Sequence, residues 1–209
     1  MSKLTRRDFL KASAASFGTL VISTALTGCH GDDDPKPVQV AVEQPAAASF
    51  SHGVASGDPM QDRVILWTRV SPTDTTKTQV DVAWEVATDA GFVSVIGQGT
   101  TSAIVETDFT VKIDMQGLTA GSVYYYRFAT LGVMSAEGKT KTLPEGDVSK
   151  VTLAVVSCSN YPAGYFNVLK EVSEDDVDAV LHLGDYIYEF GEGGFGTENS
   201  AAIGRSLPA

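Results

Sequence analysis

Residues 178–189 read Asp-Ala-Val-Leu-His-Leu-Gly-Asp-Tyr-Ile-Tyr-Glu and predict a short apolar strand that ends at a Gly-Asp pair. Gly184 lets the backbone turn sharply, so that Asp185 can project beyond the end of the strand. An earlier run, Val151–Val156, is continuously apolar, which is typical of a strand covered on both faces of a parallel sheet. This run ends in Ser-Cys-Ser-Asn-Tyr at residues 157–161.

The segment between these two strands has helical spacing over residues 164–173. Strand, helix and strand in close succession predict a right-handed βαβ crossover. Cys158 and Asp185 are then expected just past the carboxyl ends of neighbouring strands, where open α/β sheets bind their ligands. A Gly-Asp pair by itself also fits an ordinary turn, so the two strand ends are informative only in combination.

The block from 49 to 144 alternates short apolar runs with turn residues at intervals of roughly ten residues, which is typical of a β-sandwich. A Leu-Thr-Ala-Gly turn precedes Tyr124–Tyr126 and resembles the tyrosine corner of fibronectin type III-like sandwiches. These tyrosines and Trp84 fit either a ligand-binding stack or a core, and aromatic residues in strands favour a core. The predicted strands are Phe50–Ser56, Arg63–Val70, Gln79–Ala87, Gly97–Glu106, Thr110–Met115, 124–128 and Gly138–Leu143.

The N-terminus carries the twin-arginine sequence Thr-Arg-Arg-Asp-Phe-Leu-Lys at residues 5–11. A mildly apolar stretch follows and ends in Leu-Thr-Gly-Cys at Cys29, which resembles a bacterial lipobox. We therefore predict a twin-arginine signal peptide over 1–28, lipidation of Cys29 and a linker over 29–48. The expected location is periplasmic or at the cell surface, with the translocation machinery and the membrane as partners. A short amphipathic helix, and an ordinary cleavage site with an incidental cysteine, are the alternatives.

The charge and cysteine content exclude several classes of protein. The 209 residues include 15 Lys and Arg against 26 Asp and Glu, which gives a formal net charge of −11. Such a chain repels phosphate backbones, so a nucleic-acid scaffold protein is disfavoured. Two cysteines can form at most one disulfide, which excludes a disulfide-stapled mini-fold. Nine acids lie between Glu171 and Glu198 with no Lys or Arg among them, and such a cluster attracts cations.

The segments 157–161 and 182–189, together with the sandwich pattern and the export signal, resemble the PhoD-like alkaline phosphatase family, which is of metallophosphoesterase type. The resemblance covers nearly the whole chain. It implies a fibronectin type III-like β-sandwich over 49–144, followed by the start of an α/β metallophosphatase-like domain over 150–209. It also implies an exported phosphoric ester hydrolase that acts on phosphate mono- or diesters and uses ferric iron and calcium.

The resemblance implies that Cys158, Asp185 and Tyr188 hold the ferric ion, with Asp185 as the catalytic residue that bridges it to calcium. The donor chemistry agrees, because thiolate and phenolate suit ferric iron and a carboxylate suits calcium. Cys158 also fits a buried structural thiol, and Tyr186 competes with Tyr188 for the ligand position. His182 falls within the predicted strand and is interpreted as a core or supporting residue.

The family's later Asn, His and Asp ligand segments have no counterpart up to Ala209. We therefore expect the chain to be the N-terminal portion of a longer enzyme, with little or no turnover by itself. The glycine-rich segment 191–196 lacks the Lys-Ser/Thr of a nucleotide-binding P-loop and is predicted to be a flexible loop near the site.

Two other functions fit part of the pattern. The non-enzymatic alternative is a lipid-tethered cell-surface binding module with a degenerate α/β tail. A purple acid phosphatase relative also combines a sandwich with a metallophosphoesterase sheet. It would carry Asp-x-His where this chain has Ser-Cys-Ser at residues 157–159, which disfavours it.

Overall fold

The structure is a computed structural model, and it describes residues 46–188, 190–191 and 193–207. These residues form two compact units, the first ending at Glu145 and the second beginning at Gly146. The predicted signal peptide, the predicted lipidation site Cys29 and most of the predicted linker lie outside the described residues. Among the residues that are described, no helix is long and apolar enough to cross a membrane.

The first unit is built from β-strands. Its described residues contain β1 (Ala48–Ser49), β2 (Val54–Gly57), β3 (Arg63–Arg69), β4 (Ser71–Pro72), β5 (Gln79–Ala87), β6 (Val95–Ile104), β7 (Thr110–Gln116), β8 (Val123–Thr130), β9 (Val133–Met134) and β10 (Gly138–Lys141). Antiparallel pairing makes a three-stranded sheet in the order β2-β3-β7 and a larger sheet in the order β10-β8-β5-β6, with β9 paired to β8. The mostly-β architecture expected from the strand spacing is confirmed.

Both sheets contribute to one hydrophobic core. Leu66 on β3 and Val111 on β7 come from the smaller sheet, and they belong to the same buried cluster as Val82 on β5 and Phe128 on β8. Successive side chains of a strand point to opposite faces, so each sheet turns one apolar face toward this core. As this geometry requires, the core residues of β5 occupy alternate positions: Val80, Val82 and Val86.

Two tyrosines of β8, Tyr124 and Tyr126, belong to the hydrophobic core. Tyr124 is 4% exposed and Tyr126 is 2% exposed, which confirms the core interpretation and excludes a ligand stack at these two residues. The hydroxyl oxygen of Tyr124 accepts a 2.8 Å hydrogen bond from the backbone N–H of Thr119, five residues upstream. That contact is the defining interaction of a tyrosine corner. Trp84 is partly buried and packs against the same core.

The predicted first strand, Phe50–Ser56, is wrong as a single element. The structure has the short strands β1 and β2 instead, separated by a turn in which the N–H of Gly53 donates to the carbonyl of Phe50 at 2.9 Å. Gly53 has a φ of +69°, a backbone conformation that glycine adopts readily and most other residues do not. Ala48, at the end of the predicted linker, is 2% exposed and pairs with Pro72.

A buried ion pair lies in the larger sheet. The carboxylate of Glu85 on β5 accepts hydrogen bonds at 3.0 Å and 2.7 Å from the guanidinium of Arg127 on β8. The guanidinium also lies 3.9 Å from the ring centroid of Phe92. Glu85 has a side chain that is 3% exposed, so its charge depends on Arg127 for compensation.

The second unit contains a strand, a helix and a strand among its described residues. These are β11 (Leu153–Val156), α1 (Asn167–Glu174) and β12 (Ala179–His182), and the two strands pair in parallel with Leu153 opposite Ala179 and Val156 opposite His182. A parallel pair places the carboxyl ends of both strands at the same edge. The residues that follow β11 and β12 therefore come together, as the sequence predicted.

The expectation that the apolar strand Val151–Val156 is covered on both faces is wrong for this structure. Leu153 and Val155 are 48% and 57% exposed, and Val180 on the neighbouring strand is 51% exposed. The described part of this unit offers only two strands and one helix of eight residues, which has no buried residue. That is too little surface to cover both faces of a sheet.

Candidate metal centre

The loops that follow β11 and β12 are joined by backbone hydrogen bonds. The N–H of Cys158 donates to the carbonyl of Gly184 at 3.4 Å, and the N–H of Ser159 donates to the carbonyl of Asp185 at 3.0 Å. The pairing of the two strands thus continues beyond their ends. It fixes the two loops side by side, so the positions of Cys158 and Asp185 are set by backbone geometry rather than by their side chains.

Both candidate ligands have an uncommon backbone conformation. Cys158 has a φ of +62° and Asp185 a φ of +49°, and Gly184 between the strand and the aspartate has a φ of +114°. A positive φ is rare for residues other than glycine, and strained residues of this kind cluster at functional sites. Here the two strained residues are neighbours in space, one on each loop, which marks this edge of the sheet as the candidate site.

The side chains of Cys158 and Tyr188 meet at one carboxylate oxygen of Asp185. We call Cys158, Asp185 and Tyr188 the donor cluster. The Tyr188 hydroxyl donates a 2.8 Å hydrogen bond to Asp185 Oδ2, and the thiol of Cys158 lies 3.5 Å from the same oxygen. The backbone N–H of Tyr188 also donates to the carbonyl of Ser159 at 3.1 Å, which holds the tyrosine against the Cys158 loop. The structure thus brings together all three residues that the resemblance implied.

The structure also shows the surroundings of the residues for which the sequence left alternative roles, namely Tyr186, His182 and Cys158. The ring of Tyr186 packs against that of His182, with centroids 4.7 Å apart. His182 in turn accepts a hydrogen bond through Nδ1 from the backbone N–H of Gly184 at 3.4 Å, so it supports the turn. Cys158 is free and exposed, which contradicts the alternative of a buried structural thiol.

The pKa of the Tyr188 phenol is raised above its ordinary value. The first cause is its interaction with the Cys158 sulfur, and the second is the hydrogen bond that it donates to Asp185. Both interactions favour the protonated phenol. The raised pKa therefore reflects the same contacts with Cys158 and Asp185 that define the cluster.

The donor set matches a hard or borderline metal ion on chemical grounds. A thiolate, a phenolate and a carboxylate together supply sulfur and anionic oxygen ligands, which suit ferric iron. Among the described residues, no group of three His, Cys, Asp or Glu side chains is placed to hold a metal. The donor cluster includes a tyrosine, and it brings two residues of those four types, Cys158 and Asp185, into contact.

Two further contacts of this region were not predicted from the sequence, although Asn160 lies within the segment 157–161 that carries the resemblance. Asn160 donates through Nδ2 to the carbonyl of Phe195 at 3.2 Å and so joins the Cys158 loop to the glycine-rich segment. The guanidinium of Arg205 lies 3.9 Å from the ring centroid of Tyr161 and 4.5 Å from that of Phe166. Each contact joins residues that are far apart in the chain, so no spacing rule predicts either one.

Comparison with protein families identifies the chain. The model of the PhoD-like phosphatase N-terminal domain matches residues 36–144, and the model of the PhoD-like phosphatase matches residues 153–209. The first match alone takes in more than half of the sequence. The chain belongs to the PhoD-like phosphatase family. The resemblance drawn from segments 157–161 and 182–189 is thereby confirmed.

Individual relatives agree with the PhoD-like family models. The chain is 42% identical over 182 residues to alkaline phosphatase D of Bacillus subtilis strain 168, a match that covers 78% of this chain and 31% of the relative. It also matches a solved structure of PhoD with a TM-score of 0.67 and 41% identity, covering 72% of this chain and 30% of the other. The chain therefore spans about a third of the length of the relatives that it matches.

Proposed function

We propose that the complete gene product is a PhoD-type alkaline phosphatase or phosphodiesterase that hydrolyses phosphate esters with the help of bound metal ions. The observation that carries this proposal is the meeting of Cys158 and Tyr188 at Asp185 Oδ2, at the carboxyl ends of two parallel strands. Membership of the PhoD-like phosphatase family supports it, as does the name of the alkaline phosphatase D relative.

The donor cluster would hold ferric iron, with Asp185 shared between the iron and a calcium ion. When bound, such ions supply Lewis acidity for a phosphoryl oxygen. Within this chain, Gly184 and the left-handed backbone of Asp185 aim the carboxylate beyond the strand. The Cys158 and Tyr188 groups orient that carboxylate by hydrogen bonding to one of its oxygens. Pre-oriented ligands of this kind lower the cost of ordering the site when a cation binds.

The negative charge of this region also favours binding of a cation before binding of a phosphate ester. Nine acids lie between Glu171 and Glu198, so an ester phosphate approaching the bare site meets like charge. Neutralisation by cations removes this repulsion. The chain's own side chains thus supply the anionic part of the site, and metal binding is a condition for binding the ester.

Metal removal tests the proposed function on the complete gene product. We expect hydrolysis of both an aryl phosphate monoester and a bis-aryl diester, with the relative rates showing which class is preferred. Dialysis against a chelator is expected to lower the rate at least about a hundredfold, and restoring iron and calcium is expected to recover it. A protein that binds neither metal and hydrolyses neither ester would contradict the proposal and favour the binding-module alternative.

We further propose that the first unit is a fibronectin type III-like sandwich and that the second begins an α/β metallophosphatase-like domain. The tyrosine corner at Tyr124 supports the first assignment, and the parallel β11 and β12 joined through α1 support the second. The edge of β11 and β12 that carries the donor cluster is where α/β sheets place their ligands.

We also propose export by the twin-arginine route, with a lipid on Cys29 that anchors the protein to the membrane in the periplasm or at the cell surface. The sequence at residues 5–11 and the Leu-Thr-Gly-Cys that ends at Cys29 support this proposal. Replacing both Arg6 and Arg7 with lysine is expected to leave most of the protein in the cytoplasm. Cys29→Ala is expected to move exported protein from the membrane fraction to the soluble fraction, and an unchanged distribution of both variants would contradict it.

A further inference from the structure

A row of aromatic rings extends from the donor cluster. The ring of Tyr188 is stacked on that of Phe190, with centroids 5.5 Å apart and an angle of 16° between the planes. Phe190 meets Phe195 edge to face at a centroid distance of 6.2 Å. We call Tyr188, Phe190 and Phe195 the aromatic row. Tyr188 belongs to both features, because its hydroxyl contacts Asp185 and its ring begins the row.

The segment that presents Phe195 is fixed by hydrogen bonds. The carbonyl of Phe195 accepts from Asn160 Nδ2 at 3.2 Å, and Thr197 Oγ1 donates to the carbonyl of Gly194 at 2.8 Å. A side chain at position 196 would place its Cβ 3.0 Å from the Asn160 amide nitrogen, so Gly196 allows this close approach. These contacts join the backbone of Phe195, in the segment that the sequence predicted to be a flexible loop, to the loop that carries Cys158.

The ring at the outer end of the row is nevertheless exposed. Phe195 is 80% exposed, although its ring meets that of Phe190. Burial of a phenylalanine side chain stabilises a protein, and an exposed ring leaves most of that stabilisation unrealised. A neutral ring beside an anionic cluster provides contact area for an apolar group and adds no charge repulsion.

We propose that the aromatic row binds the aromatic or apolar alcohol group of the phosphate ester while the metal-loaded donor cluster holds the phosphate. This inference rests on the proposed function, and it assigns Phe195 as a residue that determines substrate specificity. The geometry favours this occupant because Tyr188 ties the row directly to Asp185. An ester whose phosphate lay at the cluster would therefore place its alcohol group beside Tyr188, the first ring of the row.

Binding of two inert analogues to the metal-loaded complete gene product tests the inference. We expect phenylphosphonate to bind more tightly than methylphosphonate. Phe195→Ala is expected to weaken phenylphosphonate binding about fivefold and to leave methylphosphonate binding within about twofold, whereas Phe195→Trp is expected to retain the preference. Ile187→Ala is the matched control, because Ile187 is 68% exposed and adjacent to Tyr188 but is not part of the row.

Kinetics separate a failure of this inference from a failure of the proposed function. With aryl and methyl esters as substrates, Phe195→Ala is expected to raise KM for the aryl ester with little change in kcat. Equal effects on both analogues, equal effects of Phe195→Ala and Ile187→Ala, or a lower melting temperature with an unchanged preference would overturn the inference alone. Absence of hydrolysis of any ester by the metal-loaded protein would overturn the proposed function and this inference with it.

Discussion

Replacing Asp185 with asparagine is expected to lower kcat/KM of the complete gene product for phosphate esters by about a thousandfold. Asp185 Oδ2 is the atom at which the Cys158 thiol and the Tyr188 hydroxyl meet. An amide at that position removes the negative charge that would be shared between two cations. The bound metal content is expected to fall together with activity, and both can be measured on the same preparation.

The Asp185→Asn variant removes the negative charge of the side chain and is expected to keep the backbone conformation of residue 185. Asp185 has a φ of +49°, and asparagine tolerates the left-handed region as well as aspartate does, so the fold of the turn is expected to persist. Asp175→Asn is the matched control, because it removes one negative charge from an exposed position in the same acidic segment. An Asp185→Asn variant that retained a tenth or more of wild-type activity would contradict the role assigned to this carboxylate.

Replacing Arg127 with methionine is expected to lower the free energy of unfolding by about 3 kcal/mol. The Glu85 carboxylate is 3% exposed and accepts two hydrogen bonds from Arg127, so the variant leaves a buried charge without its partner. The contact of the guanidinium with the Phe92 ring is lost as well. Urea denaturation of wild-type and variant protein at neutral pH measures the difference.

Two further variants make the ion-pair prediction specific. Arg63→Met removes an arginine whose partner, Asp114, lies 3.6 Å away at the surface, with side chains 42% and 39% exposed, and is expected to cost less than about 1 kcal/mol. Adding Glu85→Met to Arg127→Met is expected to recover much of the lost stability, because no buried charge remains. An Arg127→Met variant no less stable than Arg63→Met would show that the Glu85 charge is compensated in another way.

The sequence predicted the position of the candidate site better than its internal geometry. Two apolar strands with a helix between them require Cys158 and Asp185 to meet at one sheet edge, because parallel strands end on the same side. The positive φ values of these residues, and the hydrogen bonds that pair the two loops, were not predicted from the residue pattern. Likewise, Tyr188 is distinguished from Tyr186 by a backbone hydrogen bond to Ser159.

Contacts between distant residues account for most of what the sequence did not predict. Glu85 occupies a position that period-two alternation assigns to the face opposite the core, yet it is 2% exposed. Its carboxylate bonds to Arg127, whose guanidinium lies over the Phe92 ring. Asn160 and Phe195 meet across 35 positions of sequence. The exposed faces of Leu153 and Val155 show the same limit, since an apolar run indicates a strand but not what covers it.

We propose that Cys158, Asp185 and Tyr188 hold iron. Anomalous X-ray diffraction from crystals of the metal-loaded complete gene product, recorded on both sides of the iron absorption edge, tests it most directly. We predict an iron peak within bonding distance, about 2.0–2.4 Å, of Cys158 Sγ, an Asp185 carboxylate oxygen and the Tyr188 phenol oxygen. An iron peak bound by other residues, or a fully loaded protein with no peak at these three atoms, would contradict the account.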